Sequence, residues 1–422
     1  MLSEILDNED LDAGIRFSSL QVLLNSRVKI LTTGVFPRCY YERILEVIAI
    51  KGTGLTHLDL RGVWAKEYPE LISYILQNLN GLKVLHIPHM ADDTVLEHIA
   101  NCRNLKTVNI SGECNFTTTG LSKFSTMLAA NKTNLKIIDI GSFGAEIVPH
   151  ESIAELIEKN PQLLSLSSYS FVGKALLHIY RKNKGFKCDM LYVHDTRTTP
   201  AICDAVYHTC PKLENLYFDS PAMDVVENIE NFRTLRYLKL NAFQCSEFHN
   251  LISSWGNNLD TIKLCIGHGI LDMSMIATAC SNLTTLELYK LEFVMHTTEH
   301  TFDQLEEVEI LYSELTLPCL KYILRRSPEL RKFEVHEPVK LSDGDLCKLF
   351  RDYFMLNLEE LYFANARYLT VNGVELLMGH CPQLRVLGQI SGWDLSTDDL
   401  DYLRAIVQST NSNLTFVVRG IL

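Results

Sequence analysis

The 422-residue sequence predicts an α/β fold of the solenoid kind, a curved stack of short strands with the parallel sheet on the concave face and helices on the convex face. Three observations predict it. A six-residue pattern that is apolar at its first, fourth and sixth positions returns fifteen times. It returns at a near-constant interval. The segments between copies carry helical apolar spacing or helix-start signals.

The first element is not a repeat. Residues 1–54 read as an N-terminal helical segment, either a cap over the open end of the stack or a docking segment for another protein. Ser19 to Val28 has amphipathic helical character, Phe36-Pro37 breaks the chain, and Tyr41, Ile44, Leu45 and Ile48 repeat a helical spacing.

The array, residues 55–422, follows. Leu55-Thr56-His57-Leu58-Asp59-Leu60 is a clear copy. Others are Leu82/Leu85/Ile87, Leu105/Val108/Ile110, Leu135/Ile138/Ile140, Leu213/Leu216/Phe218 and Leu235/Leu238/Leu240. The series continues through Leu259, Leu283, Leu305, Leu330 and Leu358, and weaker copies begin at Leu163, Cys188, Leu384 and Leu414. Spacings run from 22 residues (Leu213 to Leu235) to 30 (Leu105 to Leu135), with a mean of about 26. One such pattern is chance; a long series at one period is a structural unit that buries its apolar side only by stacking on its neighbours. The return segments read as helices: Thr199-Pro200 supplies an N-cap and a first-turn proline, and Val95/Ile99 and Leu121/Phe124/Leu128 share a face.

The cysteines belong to the same logic. Cys102, Cys210, Cys280 and Cys381 each precede the first Leu of a copy by three residues, as in Cys210-Pro211-Lys212-Leu213. Asn160-Pro161-Gln162-Leu163 and Ser327-Pro328-Glu329-Leu330 are the same turn without the thiol. A small side chain buried at the helix-to-strand turn is the expected role, with the thiols reduced.

This C-P-x-L-x-x-L-x-L register resembles the ribonuclease-inhibitor-like class of leucine-rich-repeat proteins, and within it the cysteine-containing repeats of F-box/leucine-rich-repeat proteins. The resemblance covers about residues 55–422. It departs where Val63, Met90 and Pro221 stand in place of the usual Asn or Cys, while Cys114 fits that place loosely. What it implies is a substrate-recognition subunit of a cullin-RING ubiquitin ligase. An F-box opening with a Leu-Pro pair is absent. Ser19-Leu20 with Leu24 and Val28 resembles a short elongin-binding helix, with Leu24 where that motif has Cys, so Leu20, Leu24 and Val28 are the candidate contacts for a Skp or elongin adaptor. The alternative is a free-standing scaffold or inhibitor that wraps a protein partner.

Composition narrows the classes. The net charge of −12 argues against a nucleic-acid partner. The start of the chain carries Glu4, Asp7, Glu9, Asp10 and Asp12, the reverse of a secretory signal, and no apolar run is long enough to span a membrane. A cytosolic or nuclear protein is expected. No cofactor, metal or enzymatic activity is expected either. The 12 cysteines include no C-x-x-C pair, Gly173-Lys174 lacks a phosphate loop's upstream glycine, and His296-Thr297-Thr298-Glu299-His300 matches an inverted zinc-protease motif with no room for its helix. His86 and His89 read as solvent-facing.

The binding surface is expected on the concave sheet, where the third, fifth and seventh residues of each copy point outward. Its middle is aromatic: Tyr169, Met190, Tyr192, His194, Asn215, Tyr217, Tyr237 and Lys239. Its later part is acidic: Glu287, Glu307 and Glu309. Tyrosine and methionine are enriched at interface centres, and the acids suit a basic segment of a partner.

Overall fold

In a computed structural model the described residues are 1–113, 115–141, 149–296, 299–351, 353–410 and 413–418. Cys114 and the centre of the His296–His300 motif lie outside them. The chain forms two compact units, residues 1–196 with 201–213, and residues 197–200 with 214–422.

In the first unit, helices α1 (Leu2–Asp7) and α2 (Ala13–Leu23) are followed by strand β1 (Ile30–Thr32) and helix α3 (Tyr41–Lys51). Strands β2 (His57–Asp59), β3 (Val84–His86), β4 (Thr107–Asn109) and β5 (Ile137–Asp139) continue the sheet, all parallel in the order β1 to β5. Leu31 pairs with Leu58, so the segment before residue 55 supplies a strand of its own. Leu58, Leu85, Val108 and Ile138 then form one buried row across the sheet. Helices such as Asp93–Asn101, with Asp92 capping through Val95 N, return the chain between strands. Strand β6 (Tyr192–Thr196) lies later in this unit.

The second unit holds a nine-stranded parallel sheet: β7 (Asn215–Asp219), β8 (Tyr237–Gln244), β9 (Thr261–His268), then, after the short β10 (Ile270–Asp272), β11 (Thr285–Tyr289). After β12 (Glu292–Val294) come β13 (Glu307–Leu311), β14 (Lys332–Val335), β15 (Glu360–Phe363), β16 (Val386–Gly388) and β17 (Thr415–Val417). β10 and β12 pair with each other in a separate two-stranded ribbon. Leu216, Leu238, Ile262, Leu286, Val308, Phe333 and Leu361 are matched position for position and all buried. Both units are thus α/β leucine-rich-repeat arrays.

What takes the place of the missing asparagine is a backbone device. In many of the repeats the chain turns through a positive φ two residues after the last inward residue of the strand, among them at His89, Ser220, Ala242, Ile266, Lys290, Tyr312 and Asn365. There the amide points along the stack: His89 N donates to Ser111 O at 2.8 Å, Ser220 N to Asn241 O at 2.8 Å, and Lys290 N to Leu311 O at 2.9 Å. In these repeats a turn amide is satisfied by the next repeat's carbonyl, which needs no particular side chain.

The helix-to-strand turns hold their small residues inside. Cys102, Cys210, Cys280 and Cys381 are buried free thiols, and Asn160 and Ser327 are buried at the equivalent places. Burial raises the Cys280 and Cys381 thiols to about 12, which keeps them protonated and unreactive. Asn160 uses its amide, donating to Leu156 O at 3.0 Å and Ser125 O at 3.2 Å.

Candidate sheet-face binding site

Five-residue strands at β7, β11 and β13, and eight-residue strands at β8 and β9, give the second unit a wide outer face. Alternation puts Asn215, Tyr217, Asp219, Tyr237, Lys239, Lys263, Glu287, Glu307 and Glu309 on it, opposite the buried leucines. Of these, Glu307 is exposed and the others are half-buried.

The aromatic part of this face is tied together by lysines from the next strand. The Lys239 ammonium lies 4.5 Å from the Tyr217 ring centre, and that of Lys263 lies 5.7 Å from Tyr237. Cation–π contacts of this kind flatten the long lysine stems over the rings. Asn241 donates to Asp219 at 2.8 Å, and Lys263 also pairs with Glu287. Beyond it the face turns acidic. Glu287, Glu309 and Glu334 stand side by side on β11, β13 and β14. Burial, then the neighbouring Glu334 and Glu287 charges, push the Glu309 carboxyl above its ordinary range. Lys332, on the same strand as Glu334, pairs with it at 2.9 Å and also lies 5.7 Å from the Tyr362 ring. Tyr362 in turn lies across Gly388: a Cβ there would sit 1.9 Å from the tyrosine ring, so only glycine lets the ring lie flat. Tyr289 and Tyr312 add an exposed edge-to-face pair, centroids 5.2 Å apart, at the margin.

In the first unit the expected surface residues are placed differently. Tyr192 and His194 are half-buried on β6, facing outward. Tyr169 and Met190 are fully buried, which corrects their assignment to the surface. Tyr169 goes inside because the backbone turns left-handed at Ser167, two residues earlier, and swings the ring into the core, where its hydroxyl lies 3.1 Å from His150 Nδ1. Met190 goes inside because the repeat is registered on Met190, Val193 and Asp195 rather than on Cys188, Leu191 and Val193: β6 buries Val193 and Asp195. The inward Asp195 accepts from the Lys174 amide at 3.1 Å. A shift of two residues keeps the strand's faces but exchanges which residues lie at the centre of each, so His194 takes the fifth position. At the other end of the chain the last copy is shifted by one, with Phe416 rather than Val417 across from Leu387.

The adaptor segment is also corrected. Leu20 and Leu24 are buried, as are Phe17, Phe36 and Ile44, and Val28 is half-buried. Arg16 is buried beside them, donating to Leu6 O at 3.0 Å and Val35 O at 2.9 Å, with its guanidinium 4.6 Å from the Phe36 ring. Arg16 thus ties α2 to α1 and to the segment that follows β1. The helix has a second apolar side, however. Ile15 and Val22 are exposed and, with Ser18, Ser19 and Leu23, line a shallow open groove.

His296 and His300 are exposed and lie outside any helix among the described residues. His86 and His89 are half-buried and engaged rather than solvent-facing. His86 pairs with Asp59 at 3.1 Å, and His89 packs on Trp64 at 4.7 Å and accepts from Glu113 N. One group was not singled out from the sequence: His336, two residues after Glu334 on the same side of the chain, brings an imidazole to the acidic row. The alternation Glu334-Val335-His336, one repeat after Glu309, was the available signal.

The repeat architecture defines the fold class: an α/β leucine-rich-repeat array. No family model and no curated protein matches the chain. Among solved structures it is similar to a chain of the Rad7 and Elc1 complex of yeast, with 15% identity over 99% of this chain and 88% of that one and a TM-score of 0.49. It is also similar to the TLR13–ssRNA13 complex (12% identity, 93% and 65% of the two chains, TM-score 0.44). A leucine-rich-repeat protein of Leptospira interrogans matches over 94% of this chain and 97% of that one, at 15% identity and a TM-score of 0.43. Among the described residues no helix is long and apolar enough to cross a membrane.

Proposed function

We propose that this chain is the substrate-recognition subunit of a cullin-RING ubiquitin ligase, holding a protein substrate on the sheet face of its second unit and an adaptor on helix α2. The observation that carries the binding half is the adjacency, on one sheet, of a tyrosine–lysine ladder and a row of glutamates. Such a face offers rigid aromatic area at its middle and an acidic flank for a basic segment of the substrate. The ligase half is supported by the F-box/leucine-rich-repeat-like register of the array and by α2. Residues 15, 18, 19 and 22 share one side of that helix, and an exposed valine and isoleucine there form the sort of surface that enters a groove. The adaptor is thus moved from Leu20 and Leu24 to Ile15 and Val22.

The double substitution Ile15→Asp, Val22→Asp tests it in a binding assay with purified Skp and elongin adaptors. Wild type is expected to bind one of them, and the variant to lose binding with its melting temperature unchanged, since both side chains are exposed. Failure of wild type to bind either adaptor favours the second reading, a free-standing scaffold, which the burial of Leu20 and Leu24 already supports.

A further inference from the structure

We propose that Glu309, Glu334 and His336 form a binding site for a divalent transition-metal ion on the sheet face of the second unit. Strand register builds the site. Glu309 on β13 is paired with Glu334 on β14, and His336 follows Glu334 by two residues, on the same side. One ligand atom from each residue lies within 4.8 Å of the other two. His336 Nε2 is 2.8 Å from Glu334 Oε1 and 4.0 Å from Glu309 Oε1. Nitrogen and oxygen ligands held about 2.0–2.2 Å from a tetrahedral zinc stand roughly 3.4 Å apart, between those two values, so small side-chain rotations close the set.

The charges point the same way. Three carboxylates lie directly across adjacent strands, an arrangement that repels itself. Lys263 answers Glu287, and Lys332 answers Glu334 through Oε2, on the side away from the histidine. The cations near Glu309 are Lys332, which Glu334 holds at 2.9 Å, and His336 at 4.0 Å, which Glu334 also holds more closely. At this end of the row the imidazole and one oxygen from each of two carboxylates converge.

The imidazole is also steadied from behind. The Gln389 side-chain amide lies 3.3 Å from His336 Nδ1. Turned over, the same amide presents its oxygen to Nδ1–H and leaves the Nε2 lone pair facing the carboxylates, the outer-shell arrangement usual for metal-bound histidine. An imidazole nitrogen with two carboxylates suits zinc and its first-row neighbours; magnesium and calcium prefer oxygen alone. Three protein ligands leave a fourth position for water or for a group of the bound partner. The site is independent of the ligase reading, because metal titration involves neither adaptor nor substrate.

The experiment is calorimetric titration of the full chain, stripped of metal by chelator, with Zn2+, alongside the visible spectrum with Co2+. Wild type is expected to bind one equivalent at this site and to melt at a higher temperature with metal. Glu309→Gln and His336→Ala should abolish that equivalent, Gln389→Ala should weaken it by about 10- to 100-fold, and Glu307→Gln, an exposed acid on the same strand, should leave it intact. The metal-free melting temperatures of the variants show whether they fold. The proposal is overturned if wild type binds no metal, if His336→Ala binds as wild type does, or if the cobalt spectrum shows thiolate charge transfer, which would assign the metal to cysteines.

Discussion

The two units are built on the same repeat but present different amounts of surface. In the first, β1 to β5 are three residues long and β6 has five; in the second, β7, β11 and β13 have five and β8 and β9 have eight, before the strands shorten to three at β16 and β17. A three-residue strand shows two outward side chains, and these turn to each other. Asp59 accepts from His86 at 3.1 Å and from Arg61, and Asn109 reaches Asp139 at 3.4 Å. Burial alone would raise the Asp59 carboxyl, yet the His86 and Arg61 hydrogen bonds hold it well below the usual carboxylate range. A longer strand adds a third outward side chain and widens the face, which the second unit fills with tyrosines, lysines and glutamates. Strand length, more than composition, decides which part of a repeat array has surface to offer.

The largest effect that would break this comparison is in the shared core. Leu238→Ala in the second unit and Leu85→Ala in the first both empty the fourth position of a repeat, and each should cost about 2–5 kcal/mol in denaturant unfolding. Equal losses mean that the two units are stacked with the same tightness and differ only in their faces. A much smaller loss for Leu85 would show that the short-strand unit is looser throughout.

Next is the face itself. Tyr217→Ala should weaken binding of the true protein partner by about 2 kcal/mol or more while leaving the melting temperature little changed. The lost Lys239 contact is worth only ~0.5–1 kcal/mol at a partly exposed site. Wild-type affinity in that variant would remove the tyrosine ladder from the site. Gly388→Val is a subtler probe: it should lift the Tyr362 ring, seen as a changed tyrosine environment in near-ultraviolet circular dichroism, and displace Lys332 with it.

The smallest effect concerns pH. Asp345 is held down to about 2 by the hydrogen bond from Lys321 and by the Ser342 cap of its helix. A carboxyl lowered on folding adds stability above its unfolded value near 4, and that contribution is lost as pH falls toward 2. Asp345→Asn should therefore lower the melting temperature at neutral pH and narrow its difference from wild type across pH 4 to 2. An unchanged gap over that range would show that the Lys321 pair is fully screened.

The repeat itself was legible because its signal is apolar periodicity, which burial enforces at every copy. The fine register was not legible wherever a polar residue goes inside. At β6 the sequence favours Leu191 and Val193 as the buried pair, since an aspartate is an unlikely core residue, yet Asp195 is buried because the Lys174 amide meets it. Tyr169 was misplaced for another reason: the left-handed turn at Ser167 leaves no mark on a serine. In α2 the sequence shows apolar residues on both sides, so periodicity alone could not say which side packs inward. The buried Arg16, which anchors the inner side, reads from sequence as a surface charge.

The recurring positive-φ turn has a practical side. In five successive repeats of the second unit it is occupied by Ser220, Ala242, Ile266, Lys290 and Tyr312, none of them glycine. An L-residue held there costs roughly 1–2 kcal/mol, and a β-branched one such as Ile266 is the most strained. The stack therefore keeps an unused reserve for protein engineering. Because the amide rather than the side chain joins one repeat to the next, Ser220, Ala242, Ile266 and Lys290 can be recoded, to glycine for durability or to other residues for display, without disturbing the leucine rows, while Tyr312 is kept for its contact with Tyr289.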